Sequence, residues 1–154
     1  MASAVATDKF VTNNVVQVWD HDPGTTNALV CSPDGGTTLR YIDLRDYDHF
    51  VAIVAQTVKG GNGVVKLEIV ASDAVTFSNK VVIKDSGTIA LDTLADWAIE
   101  ECSAEEVQHL ATTYNLRYVA ARITTHHAGD EAVVTYIAHA RRPHDAITAP
   151  YVTA

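Results

Sequence analysis

Phe50-Val-Ala-Ile-Val-Ala-Gln-Thr-Val-Lys-Gly-Gly-Asn-Gly-Val-Val-Lys-Leu-Glu-Ile-Val-Ala-Ser72 is the stretch on which the fold turns. Residues 50–58 are apolar on both faces of an extended chain, as in a central strand covered on both sides. Gly60-Gly-Asn-Gly63 then predicts a hairpin. In residues 64–72, Val65, Leu67, Ile69 and Ala71 share one face while Lys66 and Glu68 point the other way. Period two on either side of a tight turn predicts antiparallel β-structure.

The same rhythm continues outward. Upstream, residues 15–19, 28–31 and 39–44 are short strand candidates, separated by Asp20-His-Asp-Pro-Gly24 and Ser32-Pro-Asp-Gly-Gly36. Proline presets φ for the first central turn position, and glycine takes the positive φ that costs other residues more. Downstream, residues 77–84 alternate, with Val81 and Ile83 opposed by Lys80, Val82 and Lys84, and Asp85-Ser-Gly87 turns the chain. Residues 116–124 and 131–140 predict a closing hairpin across His126-His-Ala-Gly-Asp130.

Residues 91–114 admit two readings. Ser103-Ala-Glu-Glu106 is a capping box, in which hydroxyl and carboxylate satisfy reciprocal backbone donors. With Val107, Leu110 and Ala111 as an apolar stripe, it predicts a short helix over 104–112 after a strand over 97–102. The rival is one longer helix from Leu91. About nine strands, turn signals often 8–12 residues apart and no fixed repeat predict an all-β fold with one short helix. The expected architecture is an antiparallel β-sandwich, jelly-roll-like. Residues 1–14 are expected to be a flexible arm, 15–142 the sandwich and 143–154 an extended tail.

Composition narrows the function classes. The chain has 154 residues, 47% of them hydrophobic, which suits one globular domain. Its net charge of −8 argues against a nucleic-acid partner, because phosphate binding needs a basic footprint. The longest apolar run, residues 50–55, is far too short to span a membrane. The first ten residues lack a basic n-region and an apolar h-region, so the chain is expected to be made and kept in a cytoplasm. Cys31 and Cys102 match no zinc or Cys-x-x-Cys spacing, and two small buried thiols are expected rather than a disulfide.

Sites for chemistry are sparse. His126 and His127 are adjacent and would point to opposite faces of a strand, so a solvated turn outweighs a metal site. Asp20-x-Asp22-x-Gly24 echoes a calcium loop, but the closing Glu position holds Cys31. Asp43, Asp46 and Asp48 beside His49 are expected to form a solvated bend. There is no nucleophile elbow or P-loop, and Gly60, Gly61 and Gly63 lie between strands rather than before a helix. Trp19 and Trp97 are expected in a core or an interface. No catalytic, cofactor-binding or metal-binding residue is assigned. Arg141-Arg142, followed by Pro143-His144, is a basic patch on an acidic chain, and arginine favours bidentate contact with carboxylates.

The order of Tyr41-Ile-Asp-Leu-Arg-Asp-Tyr47, residues 50–58 and 64–72, the strand and capping box of 97–107, and the closing pair Leu116-Arg-Tyr-Val-Ala-Ala-Arg-Ile-Thr124 and Glu131-Ala-Val-Val-Thr-Tyr-Ile-Ala-His-Ala140 resembles small virion proteins of tailed bacteriophages. Within that group it is similar to capsid decoration, or cement, proteins over about residues 39–145. The resemblance implies a phage structural protein on the capsid exterior, without enzymatic activity or cofactor. Its implied partners are its own copies, in a homotrimer, and the major capsid protein, with neither nucleic acid nor membrane. Arg141, Arg142, His144 and Tyr151 are the candidate partner contacts. Two other classes compete: a carbohydrate- or cell-surface-binding sandwich of a phage tail or fibre, and a cupin-like enzyme. The second is disfavoured because no His-x-His occurs.

Overall fold

The computed structural model describes residues 14–21, 29–32, 38–58, 66–87, 97–111, 115–124 and 129–140. In chain order they form β1 (Asn14–His21), β2 (Leu29–Val30), β3 (Ile42–Asp43), β4 (Tyr47–Val58), β5 (Lys66–Ser72), β6 (Val81–Asp85), β7 (Trp97–Ser103), α1 (Ala104–Leu110), β8 (Tyr118–Thr124) and β9 (Glu131–Ala140). Residues 97–103 are a strand, which rejects the longer helix. The strand expected from Phe77 begins only at Val81. Phe77 has φ 51°, and a non-glycine residue in that left-handed region cannot continue an extended strand.

Two antiparallel sheets result. One runs β1-β9-β4-β7; the other runs β2-β8-β5-β6, with β3 following β2 along the same edge of β8. The pairing is nested. β1 lies on β9, β2 and β3 on β8, β4 on β7, and β5 on β6, as if one long hairpin had been rolled over on itself. That is the strand order of a jelly roll, and it corrects both hairpins expected at glycine-rich turns. β4 and β5 lie in different sheets, and so do β8 and β9. In a rolled sandwich these turns carry the chain from one sheet to the other rather than back along its neighbour. The turn segments themselves, 59–65 and 125–128, lie outside the described residues.

Strict alternation builds the core. Val15 on β1, Phe50, Ala52 and Val54 on β4, and Val134, Tyr136 and Ala138 on β9 are all buried. From the other sheet Leu67, Ile69 and Ala71 meet them, as their spacing predicts. Asp48 is an extra residue between the register positions Tyr47/Ala140 and His49/His139. Such a bulge resets the alternation, and Tyr47 is accordingly turned inward and buried. Tyr136 stands at the centre, with Trp19 and Phe50 edge-on at 4.6 and 4.8 Å.

The capping box closes as expected. The Ser103 hydroxyl accepts from the Glu106 N–H at 3.1 Å, and the Ser103 N–H donates to Glu106 Oε2 at 2.8 Å. Removing the hydroxyl orphans a helix donor, so Ser103→Ala should cost about 1 kcal/mol in denaturant titration. The same carboxylate takes Lys84 Nζ at 2.6 Å, tying α1 to β6. Lys84 first, and the Ser103 N–H second, hold the Glu106 carboxyl below its ordinary range. A carboxylate depressed by folding stabilises above its unfolded pKa of about 4.3 and loses that contribution as pH falls through the lowered folded value. Wild type should therefore exceed Glu106→Gln in stability at pH 7, and the gap should close on acidification below the usual carboxylate range. A gap independent of pH would leave the ion pair without a role.

Candidate docking surface

The acidic cluster lies at a bend between β3 and β4 with Asp46 and Asp48 exposed, as expected, but Asp43 is drawn out of solvent. The Asp43 carboxylate takes Arg117 Nη2 at 2.6 Å and Arg45 Nη2 at 2.8 Å. Arg117 in turn lies 4.6 Å over the Tyr118 ring, which meets Tyr41 edge-on at 5.2 Å. These contacts pin β3 to the start of β8, so Asp43 is structural. Asp48 instead joins His49, His139, Ser103, Glu105 and Gln108 in an open cleft of about 620 Å³ at one end of the four-stranded sheet. His49 and His139 are direct cross-strand neighbours, and His49 Nε2 is 3.3 Å from Glu101 Oε2. The Ser103 oxygen is engaged in the helix cap, so the cleft does not present it as a nucleophile. Among the described residues, no group of three or more His, Cys, Asp or Glu side chains is placed to hold a metal ion.

The first and last described residues lie beside strand neighbours of this cleft. Asn14, the first residue of β1, lies opposite His139, and Ala140, the last of β9, lies opposite Tyr47. Residues 1–13 and 141–154 therefore attach to one pole of the sandwich. Arg141, Arg142, His144 and Tyr151 lie outside the described residues, as do His126 and His127.

The surface that sequence reasoning missed is the outer face of the four-stranded sheet. β4 was expected to be covered on both sides, yet Val51, Ile53 and Ala55 are only half-buried because no described element lies over them. The strand register extends this exposure across the sheet. Val16, Ile137 and Val51 stand side by side, with Glu101 completing the row. The next row is Val18, Thr135, Ile53 and Ile99, and the third is Asp20, Val133, Ala55 and Trp97. At the two edge strands Val16, Val18, Ile99 and Trp97 are 52%, 61%, 48% and 61% exposed. An antiparallel sheet with one solvated face normally alternates apolar-in and polar-out, so an apolar outer face is the departure to explain. The signal was present as apolar residues on both parities of residues 15–18, 50–55 and 133–138. The two tryptophans divide: Trp19 belongs to the core, Trp97 to this face.

The outer side of the second sheet is occupied differently. Glu68 is buried there at 6% side-chain exposure, paired with Arg122 at 18% and with Lys66, whose Nζ lies 3.3 Å from Glu68 Oε1. Lys66 also pairs with Asp85. His21, on the inner face of β1, approaches the Ser32 carbonyl at 2.8 Å through Nδ1 and so links β1 to the end of β2.

Cys31 and Cys102 are both free and buried, as expected. Burial, helped by the Glu106 carboxylate, pushes the Cys102 thiol up to about 12, and burial raises Cys31 further. The thiolate is the reactive form. An aromatic disulfide reagent at pH 8 should therefore label neither thiol of the folded chain while labelling both rapidly in guanidinium. Fast native labelling would reveal local opening around the thiol that reacts.

No protein-family model matches the chain, and no curated protein matches it.

Proposed function

We propose that this chain is a phage virion structural protein that decorates the capsid exterior as a homo-oligomer, in the first instance a trimer, and stabilises the shell. The observation that carries this reading is the common origin of both terminal segments at one pole, where Asn14 meets His139 and Ala140 meets Tyr47. In this reading residues 1–13 and 141–154 grip one neighbour from that pole. Arg141 and Arg142 supply bidentate donors for carboxylates of the major capsid protein. Weak contacts repeated over a shell become strong through avidity. The carbohydrate-binding alternative calls for several exposed aromatic side chains on one face. Among the described residues Trp97 is the exposed aromatic, which favours the structural reading.

The test is co-sedimentation of the purified chain with capsids assembled without it. Saturable, stoichiometric binding is expected, and deleting residues 143–154 should weaken it at least tenfold with an unchanged circular-dichroism spectrum. Absence of binding by the full chain sinks the reading, and full binding by the truncated chain removes the tail's role.

A further inference from the structure

We infer that the outer face of the β1-β9-β4-β7 sheet is the surface through which copies of this chain pack against one another. This rests on the homo-oligomeric part of the function proposed above and identifies where that contact is made.

Size favours a protein partner over a small ligand. Four strands about 4.8 Å apart and the four outward rows they all share, about 6.8 Å from one to the next, give a footprint of about 19 by 27 Å. That is on the order of 520 Å² per copy and about 1,000 Å² for two partners together, the lower bound for a specific protein–protein contact. A flat sheet offers no concavity to enclose a small molecule. The arrangement of the face is that of an interface, with an apolar centre at Ile53, Ile137 and Val133 and a polar end row at His49, His139 and Asn14.

Charge selects a second copy as the occupant. Each copy brings a net charge of −8, so self-association requires a surface short of carboxylates. In the three apolar rows the charged positions are Asp20 and Glu101, at diagonally opposite corners. The apolar centre can therefore take a neighbouring copy without a block of carboxylates opposing the contact. The three apolar rows span about 19 by 20 Å, on the order of 390 Å², a size at which an exposed apolar patch is often functional, and a neighbouring copy packed there removes that exposure.

The test compares the solution mass of the full chain and its variants by light scattering on a sizing column, at protein concentrations spanning two decades. Wild type should run as a closed oligomer. Val18→Lys/Ile99→Lys should run at the mass of one chain at concentrations where wild type is assembled. Both sites are about half exposed or more, so the fold should persist, and circular dichroism checks it. Trp97→Gln, the milder variant, should shift assembly to at least tenfold higher concentration. Val82→Lys, on β6 of the other sheet, adds a lysine without touching the face and should leave the mass unchanged. A wild-type monomer throughout overturns the inference, as does an oligomer indifferent to Val18→Lys/Ile99→Lys and Trp97→Gln. A wild-type monomer whose capsid binding is lost in these variants assigns the face to the shell instead. An oligomer dissolved by face charges that never binds capsids upholds this inference and defeats the capsid reading.

Discussion

Tyr136→Ala should cost about 3–5 kcal/mol of folding stability, the range for emptying a large aromatic site in a packed core. Against the roughly 5–15 kcal/mol that holds a typical domain together, that is a third or more of the total. Two separable losses contribute. The ring, fully buried, fills the space between Trp19 and Phe50, and its removal leaves a cavity in the middle of the sandwich. The hydroxyl does something more specific. On β8 the Ala121 carbonyl accepts from the Cys31 N–H at 2.9 Å, and among the described residues the next strand pairing along that edge is at Ile42. The Ala121 N–H lies past the end of β2, and it donates to Tyr136 Oη at 2.6 Å. A side chain from one sheet thus satisfies a backbone donor in the other.

Tyr136→Phe isolates that hydroxyl. It keeps the ring and orphans a buried donor, so about 1–3 kcal/mol should be lost. Both variants are to be compared with wild type by denaturant unfolding at one fixed protein concentration, because assembly would otherwise shift the midpoint. A phenylalanine variant as stable as wild type would mean that Ala121 finds water, and that Tyr136 acts by packing alone.

How much of this was legible follows from the range over which each signal acts. The capping box is an i to i+3 matter, and Ser103 and Glu106 do what their spacing predicts. Inward and outward positions on β5 follow from period two, so Leu67, Ile69 and Ala71 were readable as core. A turn residue, by contrast, states that the chain bends but not which sheet it enters. Gly60-Gly-Asn-Gly63 and the segment after Thr124 were therefore read as hairpins where the chain crosses between sheets. Coverage is less local still. An apolar residue at position 53 is equally at home beneath a second layer or on a bare interface, and only the pairing of four strands shows Ile53 beside Val18-side and Ile99-side neighbours with no described element above them. The role of Tyr136 was out of reach for the same reason: its partner lies fifteen residues away, across the sandwich.

The second large effect concerns Glu68, and here the single change should be worse than the double one. Its carboxylate sits at 6% exposure with Arg122 Nε 2.6 Å away and Lys66 alongside. Glu68→Leu leaves the Arg122 guanidinium, itself only 18% exposed, without its counter-ion. Breaking a buried pair from one side costs about 3–5 kcal/mol, because the remaining charge keeps its desolvation penalty and loses its compensation. The residual exposure of Arg122 and the contact of Lys66 with Asp85 place the expected loss near the lower end of that range. Arg122→Met added to Glu68→Leu removes the stranded charge and replaces it with apolar volume. The double variant should recover most of the loss and is not the sum of its parts: the cycle should give a coupling of about 1 kcal/mol or more. Salt provides the control. Ionic strength near 1 M, with a screening length of about 3 Å, should weaken the exposed Lys84–Glu106 pair far more than this one. Additive single and double effects would show that Arg122 is solvated by water and that Glu68 is held in place by the backbone around it.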